Sequence, residues 1–189
     1  MQLLIHDAQG TEIGRHEDLA PIAAALKSWG IFVGDIAVGA AQGPGRSAQV
    51  NNVQALASLH QRFGIRSADR VNLQPGDSRW PALRAAHRRP HKHADLELRV
   101  FLRGRGLFVA QGPAGQAAQL LCGAGEWVAL PAGLAHAFDG GKQVDYDMLR
   151  LFSLAGGEKE QTCPGADKAA KPDLDQFVAE WEEALMLSA

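Results

Sequence analysis

The sequence predicts a mainly β fold, a sandwich or barrel of short strands with helices before and after it. From residue 69 onward, short strand-like runs such as 97–102 and 126–130 are separated by glycine and proline. Helical periodicity is confined to the first third of the chain and to its end. These two observations place the sheets in the middle of the sequence.

The first third of the chain combines a hairpin with two helices. Alternation in the first fourteen residues predicts a short hairpin that turns near Gly10, as an edge feature. A helix is predicted over 20–29, followed by a breaker-rich loop over 39–46. A second helical pattern covers 53–63 and stops at Gly64.

The whole chain, residues 1–189, is predicted to be one domain, because 189 residues is an ordinary domain length. Four basic residues near the predicted barrel, Arg84, Arg88, Arg89 and Lys92, are expected in a solvated loop. The predicted parts are an N-terminal hairpin with helices (1–68), the barrel core (69–152), a mobile loop (153–172) and a C-terminal helix (173–189).

Composition excludes several classes of partner. There are 19 basic and 21 acidic residues, a formal charge of −2, so no basic field favours nucleic acid. No apolar run reaches the ~20 residues of a membrane span, and the opening residues do not resemble a signal peptide. We therefore expect a cytoplasmic protein with no nucleic-acid or membrane partner. The two cysteines are too few for a disulfide framework.

A row of polar residues follows one predicted strand. In an unbroken strand the odd-numbered positions share a face, which would hold His91, His93, Glu97, Arg99 and Phe101. The even positions from 96 to 102 are apolar and should be covered by another layer, such as the N-terminal helices. Burying the polar row needs compensation, and a divalent cation is the simplest. Taken by themselves, two histidines at this spacing would suggest exposed side chains.

A second segment strengthens the metal interpretation. Residues 125–133 read as a strand that ends in a Pro/Gly turn, which presents His136 on the next strand with Phe138 on the same face. Three imidazoles and one carboxylate are then available. Asp139, on the opposite parity, is a candidate to orient a ligand imidazole through its free N–H.

The two segments resemble the two cupin motifs. The first is HxHxxxE, six residues and Gly104; the second is Gly, five residues, PxG, two residues and His136. Ala85 stands where the first motif usually begins with glycine. Within the cupins the chain is similar to the acireductone dioxygenase family, through ELRVFLRGRGLF, LCGAGEWVALPAG, HAFDGG and the later LRLF. The resemblance covers residues 47–155 and implies a cupin barrel with the helices packed outside.

The resemblance implies a role for particular residues. The family's metal ligands correspond to His91, His93, Glu97 and His136, its substrate-side arginines to Arg99 and Arg150, and its pocket aromatic to Phe138. Two positions differ from the family, since His87 replaces a phenylalanine and Leu96 replaces an aspartate. The second difference removes the family's acid/base group.

The implied activity is a metal-dependent dioxygenase of methionine salvage. One Fe(II) or Ni(II) per chain would hold acireductone for reaction with O2, giving formate and 4-methylthio-2-oxobutanoate with iron. With nickel the products would be carbon monoxide, formate and methylthiopropanoate. The family favours a monomer. The alternatives are another cupin metalloenzyme, such as a different dioxygenase or a sugar-phosphate isomerase, and a cupin that only binds a small ligand.

Overall fold

Two antiparallel sheets form the centre of the protein. The structure is a computed structural model that describes residues 1–39, 49–155, 160–163 and 172–187. Its strands are β1 (Gln2–His6), β2 (Glu12–His16), β3 (Phe32–Asp35), β4 (Val38–Gly39), β5 (Gln49–Val50), β6 (Ser67–Leu73), β7 (His91–His93), β8 (Glu97–Arg103), β9 (Arg105–Gln111), β10 (Ala117–Gly123), β11 (Glu126–Leu130), β12 (His136–Asp139), β13 (Tyr146–Phe152) and β14 (Glu160–Thr162). One sheet has the order β14-β7-β12-β9-β10-β1-β2 and the other β3-β11-β8-β13-β6, while β4 pairs with β5.

The two large sheets share one hydrophobic core. Side chains from both of them are buried together in it, including Leu3 of β1, Phe108 of β9, Phe101 of β8, Val128 of β11 and Met148 of β13. Alternate residues of each strand point inward, which is the pattern of two packed sheets. The predicted mainly β architecture is confirmed.

Four helices flank the sheets: α1 (Leu19–Leu26), α2 (Val53–Phe63), α3 (Trp80–His87) and α4 (Leu174–Leu187). The first continues as a 3₁₀ turn and ends at Gly30 in the left-handed conformation. The Asn52 side chain caps α2 by accepting from the backbone N–H of Ala55 at 2.9 Å. Gly64 ends α2, also left-handed. Both N-terminal helices and the C-terminal helix are therefore confirmed.

Helices α2 and α4 cover the outer faces of the two sheets. Leu59 of α2 packs with the even-numbered residues of β8, Leu98, Val100 and Leu102. Phe177 and Trp181 of α4 pack on Leu4, Leu107 and Leu121 of the other sheet. The predicted cover over residues 96–102 is thus provided by α2.

The prediction for the basic cluster was wrong. Arg84 belongs to helix α3, which has Pro81 in its first turn, a common position for proline. The side chain of Arg84 is mostly buried against carboxylates and does not lie in a solvated loop. The helix was missed because its eight residues are too few for a clear period.

The predicted part boundaries also change. β1 and β3 pair with strands of the predicted barrel core, and β2 pairs with β1, so the barrel is not limited to 69–152. In the predicted loop over 153–172, residues 160–162 form β14, which pairs with β7. Residues 156–159 and 164–171 of that loop, and 40–46 of the earlier loop, lie outside the described residues. Within the described ranges, none of the helices has the length and apolar character to cross a membrane.

Gly104 forms the tight connection between β8 and β9. Its φ is +73°, and a Cβ atom there would collide with the carbonyl oxygen of Asp145. Glycine is therefore required on both conformational and steric grounds. This turn carries the chain from β8 in one sheet to β9 in the other.

Asp139 is buried at the end of β12 and ties that strand to α3 and α4. Its carboxylate accepts from Arg84 Nε at 2.7 Å, from Arg84 Nη2 at 2.8 Å and from the backbone N–H groups of Leu174 at 3.0 Å and Gly141 at 3.1 Å. Burial would raise the pKa of Asp139, but Arg84 and the two N–H groups hold that pKa below its usual value. The prediction that Asp139 orients a ligand imidazole was therefore wrong. Its carboxylate instead fixes the helices against the barrel.

We expect Asp139→Ala to destabilise the protein by about 3 kcal/mol, because it removes the nearest carboxylate of Arg84 and leaves the buried N–H groups of Leu174 and Gly141 without this acceptor. Urea unfolding measures this change. The control Glu12→Ala removes an exposed ion pair with Arg15 and should change stability by at most about 0.5 kcal/mol. Equal losses of unfolding free energy in the two variants would show that the Asp139 cluster stabilises the fold no more than an exposed ion pair does.

Candidate metal centre

Three histidines converge between β7 and β12. His91 and His93 lie on β7 and His136 begins β12, and the two strands pair with His136 opposite His91. All three side chains are buried, and their ligating nitrogens lie within 4.8 Å of one another. Strand pairing thus brings together the two sequence motifs that carry the histidines.

Backbone carbonyls set the orientation of two of the rings. Nδ1 of His91 lies 2.8 Å from the carbonyl oxygen of Arg89, and Nδ1 of His136 lies 3.0 Å from that of Leu134. A carbonyl only accepts, so Nδ1 must carry the hydrogen and donate it. Nε2 of each ring is then left with a lone pair, which is the form that binds a metal.

Glu97 reaches the histidines from the opposite sheet. Its Oε2 lies 2.8 Å from Nε2 of His93 and 3.2 Å from Nε2 of His136. The strand is not unbroken between His93 and Glu97, because residues 94–96 separate β7 from β8. The predicted residues nevertheless meet, since the two strands face each other across the barrel.

Charge around Glu97 favours its ionised form. Burial would raise its pKa, but neighbouring positive charge, first that of Arg99, holds the pKa well below its usual value. Arg99 Nε donates to Oε1 of Glu97 at 2.5 Å. Burial, and then the neighbouring His136, lower the pKa of His91, so that this ring stays neutral. The centre therefore offers a carboxylate and, at His91, a neutral imidazole at ordinary pH.

This donor set fits a divalent cation. With Nδ1–H given to Leu134, Nε2 of His136 presents a lone pair to the Oε2 atom of Glu97, which is also an acceptor. Both atoms are buried without a hydrogen-bond donor among the described residues. A cation held between them satisfies both. Nitrogen and oxygen ligands without sulfur suit Fe(II), Ni(II), Mn(II) or Co(II).

The two predicted substrate arginines lie side by side on β8 and β13. Arg150 is opposite Arg99 in the strand register. Arg99 is buried and contacts the carboxylate of Glu97, while Arg150 Nε donates to Asp69 at 2.6 Å on the outer strand β6. Each arginine thus has a carboxylate partner in the structure, and the partner of Arg99 belongs to the predicted ligand set.

Phe138 is packed rather than open. Its ring contacts Phe101, Phe108 and Tyr146, with centroids 6.4, 5.0 and 5.6 Å away. His87 ends α3 and meets the same ring at 6.2 Å, so it lies on the wall of the site and not in a loop. Leu96 packs in the apolar cluster under α2. At this position the resemblance implied an aspartate, and the chain has an apolar residue of that cluster instead.

Two residues near the centre were missed by the sequence analysis. Asp95 is buried between the ligand strands, where its carboxylate accepts from the backbone N–H of Leu154 at 2.7 Å and from the Ser153 hydroxyl. It ties residues 94–96 to the end of β13. Tyr146 is buried on the strand that carries Arg150. Their positions follow from long-range pairing, and no local pattern marks them.

The sheets and the centre together define a metal-binding barrel of the cupin class. A model of the ARD/ARD′ family matches residues 48–160. Acireductone dioxygenase of Methylococcus capsulatus is 33% identical over 161 residues, which cover 82% of this chain and 85% of that protein. Acireductone dioxygenase 1 of Nocardia farcinica is 30% identical over 183 residues, which cover 94% and 93%. The chain therefore belongs to the acireductone dioxygenase family, and the predicted resemblance is confirmed.

A solved structure has the same fold. Acireductone dioxygenase from Bacillus anthracis, with a cadmium ion in its active centre, matches with a TM-score of 0.67 and 18% sequence identity. The match covers 84% of this chain and 96% of that chain. The predicted cupin fold is confirmed by this similarity.

We expect His93→Ala to lower the affinity for a divalent metal by about 100-fold or more, since changes behind the ligands alone cost about 10- to 100-fold. Calorimetric titration with Ni(II) measures the affinity, and elemental analysis measures the metal content. His60→Ala, on α2 and away from the centre, is the matched control. Unchanged metal affinity in His93→Ala would contradict the proposed ligand role of this residue.

Proposed function

We propose that the protein is a metal-dependent dioxygenase that cleaves acireductone with O2. The observation that carries this proposal is the convergence of three buried histidines and Glu97 beside the guanidinium of Arg99. Membership of the acireductone dioxygenase family supports the same substrate. The products with iron would be formate and 4-methylthio-2-oxobutanoate, a step of methionine salvage. With nickel they would be carbon monoxide, formate and methylthiopropanoate.

In this proposal His91, His93, Glu97 and His136 hold one Fe(II) or Ni(II) per chain. The bound ion would supply Lewis-acid chemistry that favours the deprotonated enediol. The carbonyls of Arg89 and Leu134 keep two of the rings aimed at the centre. The protein's contribution at this level is a fixed geometry before the substrate arrives.

Arg99 would supply the positive charge nearest to the substrate. Its contact with Glu97 holds the guanidinium beside the ligand set, and its ring neighbour Phe152, 5.5 Å away, restricts it further. A permanent charge with forked donors is suited to an enediolate. Arg150 stands next to it in the sheet, paired with Asp69, and would add a second charge.

The replacement of the expected aspartate by Leu96 affects how the substrate loses its proton. Because Leu96 packs under α2, the position before Glu97 offers no base. We propose that the substrate binds as its preformed monoanion, which the charge of Arg99 favours. No base is then needed for the first deprotonation.

A second candidate keeps the metal and changes the substrate. His87 places a polar ring against Phe138, so the wall of the site differs from an all-apolar one. Another cupin metalloenzyme, such as a different dioxygenase or a sugar-phosphate isomerase, is the alternative. Strong inhibition by inorganic phosphate would favour the isomerase. We also propose that the protein acts as a monomer in the cytoplasm.

Anaerobic reconstitution tests the proposed function. Metal-free protein is loaded with Fe(II) or Ni(II), mixed with acireductone and O2, and assayed for substrate loss, formate and carbon monoxide. The proposal expects rapid metal-dependent loss, with formate and the keto acid from the iron form. No acceleration over the metal-free control, in protein shown to hold one metal, would overturn it.

We expect Arg99→Lys to keep its metal and to lose about 10- to 100-fold in kcat, because a point charge replaces a fork beside the developing charge. Steady-state kinetics and metal analysis measure the two effects. Arg103→Lys, on the same strand but in an exposed pair with Asp145, is the control and should keep its rate. An unchanged rate in Arg99→Lys would limit Arg99 to a structural role.

A further inference from the structure

Tyr146 carries a buried hydroxyl that the proposed mechanism does not use. The residue is fully buried, and its hydroxyl has no hydrogen-bond partner among the residues that the structure describes. Buried polar groups are usually satisfied, so an exception needs an explanation. A phenylalanine would fill the same space without this penalty.

The ring of Tyr146 is held in a fixed place. It meets Trp80 and Phe138 edge to face, with centroids 6.0 and 5.6 Å away. Gly140 makes room for it, since a Cβ atom there would lie 2.7 Å from Cε1 of the tyrosine. Trp80 is itself fixed, because its Nε1–H donates to the carbonyl of Gly141 at 2.8 Å. The hydroxyl therefore has little freedom to find another partner.

The hydroxyl belongs to the same side of β13 as the substrate arginine. Tyr146 and Arg150 share strand parity, and Phe138, which Tyr146 contacts, lies two residues after His136. Burial raises the pKa of Tyr146 to about 12, against the opposing influence of the charges of Arg99 and Arg150. The hydroxyl thus lies within the field of both guanidinium groups and keeps its proton at ordinary pH.

We propose that the Tyr146 hydroxyl donates a hydrogen bond to an oxygen atom of the anionic chelate that binds at the metal centre. In the function proposed above, on which the identity of this ligand rests, the acceptor is an oxygen of the enediolate. Tyr146 is then a substrate-binding residue, and its lack of a partner belongs to the ligand-free protein. The charges of Arg99 and Arg150 attract the anionic ligand, and a hydrogen bond from the neutral Tyr146 hydroxyl would add a preferred direction to that attraction.

The proposal predicts a binding defect without a stability defect in Tyr146→Phe. The dissociation constant for the ligand, measured anaerobically in metal-loaded protein, should rise about tenfold, the effect of losing a hydrogen bond to a charged group. Thermal stability of the ligand-free protein should stay the same or increase. Phe177→Leu, in the separate core cluster under α4, is the control, and it should lose stability and keep its affinity.

A spectroscopic measurement separates donation from packing. Tyr146 is the one tyrosine of the chain, so tyrosine labelled with ¹³C at Cζ gives a single resonance. In Zn(II)-loaded protein without O2, two probes are added in turn: acireductone, and acetohydroxamate, a bidentate oxygen chelator that requires only the metal. A hydrogen-bond shift of this resonance on binding is expected.

The outcomes distinguish this proposal from the proposed function. A shift with either probe, together with weaker binding of that probe by Tyr146→Phe, supports donation by Tyr146. If only acetohydroxamate gives the shift, donation is supported and acireductone is the wrong substrate. No shift with either probe, or unchanged affinity in Tyr146→Phe, overturns the proposal and leaves Tyr146 as packing, even if acireductone is turned over.

Discussion

The burial of one carboxylate and three imidazoles between two sheets is the constraint on which the rest of the structure depends. An unpaired charge in such a place costs several kcal/mol, so each donor needs a defined partner. Arg99, on the same strand as Glu97, balances the charge of that carboxylate. Main-chain carbonyls accept hydrogen bonds from Nδ1 of His91 and of His136. What remains is a set of acceptor atoms close to one another, which a divalent cation would complete.

The helices outside the barrel keep the ligand strands in position. Arg84 of α3 and the N-terminus of α4 meet at Asp139, three residues after His136. The cap of α4 is a reciprocal pair in which Asp173 and Gln176 accept from each other's backbone N–H. A displacement of either helix would therefore also displace β12 and His136. Stability and ligand geometry are linked through this one carboxylate.

The local sequence predicted what depends on local chemistry. Helices α2 and α4 were predicted because apolar spacing is a property of a short segment, and Gly64 marks an end that the structure confirms. The convergence of His91, His93, Glu97 and His136 was predicted because the spacing of the two motifs is itself the family's signature. The structure brings these side chains together, and their role as ligands stays a prediction.

Properties that depend on distant partners were not predicted. Asp139 accepts from Arg84 and Leu174, and neither partner is visible from the neighbourhood of residue 139. The alternation of side chains correctly predicted the face of the strand on which Asp139 lies, but it does not predict which helix covers that face. The same holds for Tyr146, whose buried hydroxyl becomes notable only when its surroundings are known. Strand β14 was missed because three polar, exposed residues carry no strand pattern.

X-ray absorption spectroscopy of the Ni(II)-loaded protein tests the central claim most directly, because it counts the rings around the metal without requiring turnover. The account predicts scattering from three imidazole rings, the three buried histidines, with the remaining nearest atoms being oxygen and no sulfur. Fewer than three imidazoles, or a sulfur neighbour from one of the cysteines, would contradict it.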